Sequence, residues 1–108
     1  MEQISFEEWK KVDLRIAKII DVKDHPNADK LYVIKVSLGN EERTIVAGIK
    51  PWYKKEELIG KKIVIVANLQ PKNFRGIESR GMLLAAEYEN DVALLTVDRD
   101  IKEGSKVF

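Results

Sequence analysis

Between residues 72 and 80 this chain carries Lys72, Arg75 and Arg80 against a single acid, Glu78, with Asn68, Gln70, Asn73 and Ser79 in and around the same stretch. Ammonium and guanidinium groups along a loop can each meet a phosphate, and amides and hydroxyls add neutral hydrogen bonds. Gly76 and Gly81 let the backbone approach a ligand closely. The chemistry on offer is recognition of an anionic, hydrogen-bonding partner, and RNA is the obvious candidate.

Bond-making chemistry finds no support. The one histidine, His25, stands beside Pro26 in a polar turn, where a solvent-facing role is expected rather than that of a base. There is no cysteine, which excludes disulfides, thiol nucleophiles and thiolate metal sites. No spacing of His, Cys or carboxylate suits zinc, no phosphate-loop GK[ST] or dinucleotide glycine pattern occurs, and Ser79 has no histidine that the sequence places near it. The chain reads as a binding module, with no catalytic residue, metal or cofactor.

The net charge of +1 hides an uneven distribution. From Arg43 to Met82 there are nine Lys or Arg against three acids, a local charge of +6. A bipolar molecule with one face fit to meet phosphate is one reading; ordinary clustering of surface charge is the other. At 108 residues and 44% apolar composition the chain makes one domain with a core of its own. No apolar run approaches the roughly 18 residues of a membrane span, and the N-terminus has no apolar signal segment. A soluble, cytoplasmic protein with no membrane partner is expected. Aromatic residues are only 7%, too few for a general single-strand binder built on stacking platforms. Phe74 is a candidate for stacking on a base, and Trp52 and Tyr53 either do the same or anchor their loop.

The elements that position these residues follow from the periodicity. Ser5 and Glu8 have capping-box spacing, and Phe6 and Trp9 fall at i and i+3, which predicts a short helix over 5–11 with one apolar edge. From Val12 the period becomes two, broken at Lys18 as by a bulge. The turn at 24–29 leads to strands at 32–38 and 44–49 joined by Gly39-Asn40, then a short helix at 54–58 ended by Gly60. Strands at 62–67, 82–87 and 92–97 flank the basic loop and a turn at Asn90-Asp91. Three strands, a helix and two more strands is the order of an OB-fold, an all-β five-stranded Greek-key barrel with short helices, against a β-sandwich as competitor. The barrel core spans about 12–97. Barrels of this class bind RNA on the second and third strands and adjoining loops, where Lys30, Lys35 and Arg43 stand.

Three segments then coincide with one family: residues 25–33 (HPNADKLYV), 43–49 (RTIVAGI) and 67–83 (ANLQP through RGIESRGML). The chain closely resembles the tRNA-binding domain found at the C-terminus of many methionyl-tRNA synthetases or made as their separate beta subunit. The resemblance runs from about Phe6 to the end and implies tRNA binding by shape more than sequence, in the cytoplasm, with no chemistry, in aid of the synthetase. Its motif residues carry over as Lys30, Arg43, Asn68, Lys72, Arg75, Ser79 and Met82; these, without Met82 and with Arg80 added for its charge in the same loop, are the expected tRNA-binding residues, the charged ones on phosphates, Asn68 and Ser79 bonding RNA or holding the loop. Met82 is expected in the core. It also implies a homodimer built on Phe6, Trp9 and the extension at 92–108. Chaperone-like relatives of the same fold give the alternative, a protein-interaction module with incidental tRNA binding. Where the family has KLRG or close variants this chain has Asn73-Phe74-Arg75-Gly76, so Phe74 replaces an aliphatic residue.

Overall fold

A computed structural model describes residues 1–108. It begins with a single helical turn, α1 (Phe6–Trp9), closed by the expected capping box: the Glu8 amide donates to Ser5 Oγ at 3.1 Å, and the Ser5 amide donates to Glu8 Oε1 at 3.2 Å. No residue of α1 is buried. Strand β1 (Leu14–Asp24) follows and pairs antiparallel with β2 (Tyr32–Ser37), which pairs with β3 (Glu42–Ala47). The bulge in β1 falls between Ile19 and Asp21, two residues beyond the expected break at Lys18. The extra residue, Ile20, shifts the core-facing parity from Ala17 and Ile19 to Val22, so one long strand bends round the core without turning its apolar side outward.

Helix α2 (Lys55–Leu58) inserts Leu58 into that core, and β4 (Lys62–Val66) runs back along β1. The basic stretch is partly ordered as a hairpin, β5 (Lys72–Phe74) and β6 (Ile77–Ser79). β7 (Met82–Leu83) pairs with β4, giving the sheet order β3-β2-β1-β4-β7. The edges meet where the Arg80 amide donates to the Thr44 carbonyl at 2.9 Å and the Val46 amide donates to Ser79 Oγ at 3.0 Å. That contact curls the sheet onto itself as an OB-type barrel, as the element order predicts. Its interior is filled by Ile19, Ile34, Val36, Ile45, Ile63 and Ile65, all fully buried.

The expected strand at 82–87 is two. At Leu84 the chain leaves β4 and turns into β8 (Ala85–Tyr88), which pairs with β9 (Asp91–Leu94) as a separate hairpin. Met82 does not join the core: it is 47% exposed, and strand alternation gives the inward position to Leu83. The last strand, β10 (Lys106–Val107), lies on β1. β1 and β4 are apolar on both faces. Leu14, Ile16 and Val64 form a second cluster on the outside of the barrel, covered in part by Leu84, Val97 and Val107.

Candidate nucleic-acid interface

The geometry of the cation-bearing loops begins with two residues at a turn. Phe74-Arg75-Gly76-Ile77 closes the β5–β6 hairpin with positive φ at both central residues, 51° at Arg75 and 100° at Gly76. This is the primed turn that a two-residue hairpin needs, with glycine in the position most open to it. The Gly76 amide donates to Asn73 Oδ1 at 2.8 Å, which fixes the turn further. The Lys72 ammonium lies 5.1 Å from the Phe74 ring centroid, so the ring supports a cation on one face.

The turn between β1 and β2 is tied to this hairpin. His25 is 5% exposed, not solvent-facing. Its Nε2–H donates to the Phe74 carbonyl at 2.7 Å, while Nδ1 accepts from the Asn27 amide at 3.0 Å. Those partners select the neutral tautomer with hydrogen on Nε2. Asn27 Nδ2 donates to the Arg75 carbonyl at 3.4 Å, and Arg75 Nη1 returns a bond to the Asn27 carbonyl at 3.3 Å. Lys30 and Arg75 therefore share the walls of one concavity, with Asn27, Ala28, Asp29 and Leu31 beside them.

The expected site residues divide into groups. Lys30, Lys72 and Arg75 stand on the two linked loops, with the half-buried Phe74. Arg80 lies part-way down the β3 edge, sharing a groove with Lys35, Glu42, Arg43, Thr44 and Glu78, its Nε 4.0 Å from the Glu78 carboxylate. Arg43 pairs across from Val36 and turns toward the far end of the barrel, where it donates to the Ala67 carbonyl and meets Glu41 at 3.3 Å. Asn68 clips the entry to β1: its Oδ1 accepts from the Asp13 amide at 2.8 Å and its Nδ2 donates to the Lys11 carbonyl. Ser79 is 3% exposed, and besides accepting from Val46 it donates to the Gly81 carbonyl at 3.0 Å, so its hydroxyl holds the loop to the barrel. Trp52 donates to the Asn90 carbonyl at 2.9 Å and Tyr53 Oη accepts from the Leu94 amide at 3.0 Å; both anchor their segment to β8 and β9.

Charge is redistributed by folding. Lys50 and Lys55 both reach Asp24, at 3.0 and 2.9 Å, and Lys62 reaches Asp100 at 2.8 Å. Hydrogen bonds from Lys55 and then Lys50 hold the Asp24 carboxyl below its usual range, and Lys62 does the same for Asp100. The local +6 is thus partly neutralised by acids from outside the segment. Lys30, Lys35 and Lys72 make no ion pair. The largest hollow, about 660 Å³, is at the other end among Asp13, Arg15, Glu41, Arg43 and Glu103, where the arginines are already engaged by carboxylates.

A five-stranded OB-type barrel with unpaired cations on two cross-linked loops is the class of protein that fold and surface define. The family model described as "Putative tRNA binding domain" matches residues 14–106, and the chain belongs to that family. It is 61% identical over 107 residues, 99% of its length, to a methionine–tRNA ligase of Pyrococcus horikoshii, and it spans only 15% of that relative. Among solved structures, a MetRS-related protein from Pyrococcus horikoshii superposes with a TM-score of 0.93 at 39% identity, covering 100% of both chains. A chaperone CsaA from Bacillus anthracis superposes at 0.92 with 28% identity, over 99% of this chain and 100% of the other.

Proposed function

We propose that this chain binds folded tRNA by shape, without chemistry of its own, and serves a methionyl-tRNA synthetase in the cytoplasm by raising its hold on tRNA. The observation that carries the reading is the pair of linked loops bearing Lys30, Lys72 and Arg75, cations that form no ion pair. Phosphate contacts of this kind give affinity that is indifferent to base sequence and falls with salt. Lys35 and Arg80 add two cations along the β2–β3 face, interspersed there with Glu42 and Glu78. The synthetase context rests on the ligase relatives, and the 61% identity to them outweighs the 28% identity to the chaperone.

The active form in this reading is a homodimer. Phe6 and Trp9 on α1 are 69% and 39% exposed and belong to neither core cluster, and Leu95, Ile101 and Phe108 in the 92–108 extension are exposed as well. Two copies would present two cationic ends to one tRNA and multiply a weak contact. The site is tested by Lys72→Ala combined with Arg75→Ala. Binding to all tRNAs should weaken alike, and the slope of log affinity against log salt should flatten by roughly 1.5 for two lost phosphate contacts. Unchanged affinity would remove both residues from the site.

A further inference from the structure

His25 is, with Tyr32, one of two buried side chains that carry a titratable group, and the function above does not use it. We propose that it is the positioning residue of the tRNA-binding end: its neutral imidazole latches the turn at 25–31 to the β5–β6 hairpin and so holds Lys30 and Arg75 in one site. The proposal rests on the tRNA-binding reading. Residues 25 and 74 are 49 positions apart in sequence, yet the 2.7 Å bond from Nε2 to the Phe74 carbonyl is the shortest link between the two loops. The reciprocal bonds of Asn27 and Arg75, at 3.4 and 3.3 Å, are longer and exposed. Without the latch, two separately moving loops would have to be ordered when RNA binds, and that entropy would be subtracted from affinity.

The latch works in one protonation state. A proton on Nδ1 would set an N–H against the Asn27 amide N–H, donor facing donor, and open the turn. The charged groups on the surrounding elements are Asp24, Asp29 and Lys30 on the same turn, Lys72, Arg75 and Glu78 on the hairpin, and Lys50 and Lys55, which reach Asp24 from beyond β3 and from α2. Coulomb's law alone says that another positive charge beside Lys30 and Arg75 strengthens RNA binding. The latch predicts the reverse, a loss of affinity as the imidazole becomes charged.

Two substitutions separate the ring's contacts. In His25→Asn the amide oxygen can replace Nδ1 as acceptor for Asn27 and keep the turn, but the side chain is too short for Phe74. In His25→Gln the amide nitrogen can reach the Phe74 carbonyl and keep the latch. The experiment measures tRNA affinity at fixed salt from about pH 8 to about pH 5.5, the interval in which histidines charge, together with ¹⁵N-histidine NMR of the free wild-type chain. The NMR should show the proton on Nε2 at the upper pH. Wild-type affinity should fall several-fold on acidification. H25N should bind roughly fivefold to tenfold more weakly at pH 8, the scale of one lost hydrogen bond. H25Q should recover most of that loss and show no pH dependence.

Wild-type binding that is tighter in acid, or constant while the NMR shows the imidazole charging, overturns the latch, as does H25N binding as well as wild type. Should H25N fail to fold, the wild-type pH series and H25Q carry the test. No tRNA binding by the wild-type chain at any pH overturns the tRNA-binding reading itself and this proposal with it, while loss confined to the variants' predictions overturns the latch alone.

Discussion

Ser79 and Lys72 stand seven residues apart in one polar stretch and do unlike work. The Ser79 hydroxyl is buried and has both a donor and an acceptor partner, so it fastens the end of β6 to β3. Ser79→Ala should leave the Val46 amide without its partner and lower stability by about 1–3 kcal/mol, read as a lower urea midpoint. A stability equal to wild type would mean the hydroxyl fastens nothing. Sequence gave the types of these residues but not their availability. Lys50, Lys55 and Lys62 look as free as Lys72 along the chain, and only the fold brings Asp24 and Asp100 to them. His25 was hidden for the same reason: a polar residue in a turn reads as solvent-facing, and its acceptor belongs to a hairpin 49 residues on.

At the scale of elements, strands whose period was clean were legible, because alternation with one buried face admits one orientation. The helix at 6–9 was legible from its capping residues. The β5–β6 hairpin was not, since its turn puts Arg75 at a φ of 51°, where asparagine or aspartate would be the usual signal. The tail also escaped, two residues of strand being too short for any pattern. Yet β10 is held firmly: the Gly104 amide donates to the Ile16 carbonyl at 2.7 Å, and the Ile16 amide donates to the Ser105 carbonyl at 2.9 Å. A Cβ on Gly104 would stand 2.3 Å from the Leu38 carbonyl oxygen, at a φ of 91°. Gly104→Ala should therefore cost about 2 kcal/mol or more and speed hydrogen exchange at the Ile16 amide. Wild-type exchange at that amide would show that the tail is not seated as described.

For the whole molecule, the placement of apolar surface bears on assembly. The barrel interior explains one face of β1 and β4, and Leu84, Val97 and Val107 cover the apolar cluster on the other; Phe6 and Trp9 on α1, with Leu95, Ile101 and Phe108 in the extension, remain exposed. Light scattering at micromolar concentration should give twice the 12.4 kDa of one chain. Replacing Phe6 and Trp9 together by serine should return it toward one. A mass of one chain for the wild type would end the homodimer account.

The claim on which the rest depends is that folded RNA, not RNA as such, is what the cationic end meets. The most direct measurement is affinity for folded tRNA and for an unstructured RNA of equal length, each titrated with salt. Preference for the folded tRNA at every salt concentration, with log affinity falling linearly as log salt rises, is the predicted result. Equal affinity for the two RNAs, or affinity that ignores salt, would contradict it.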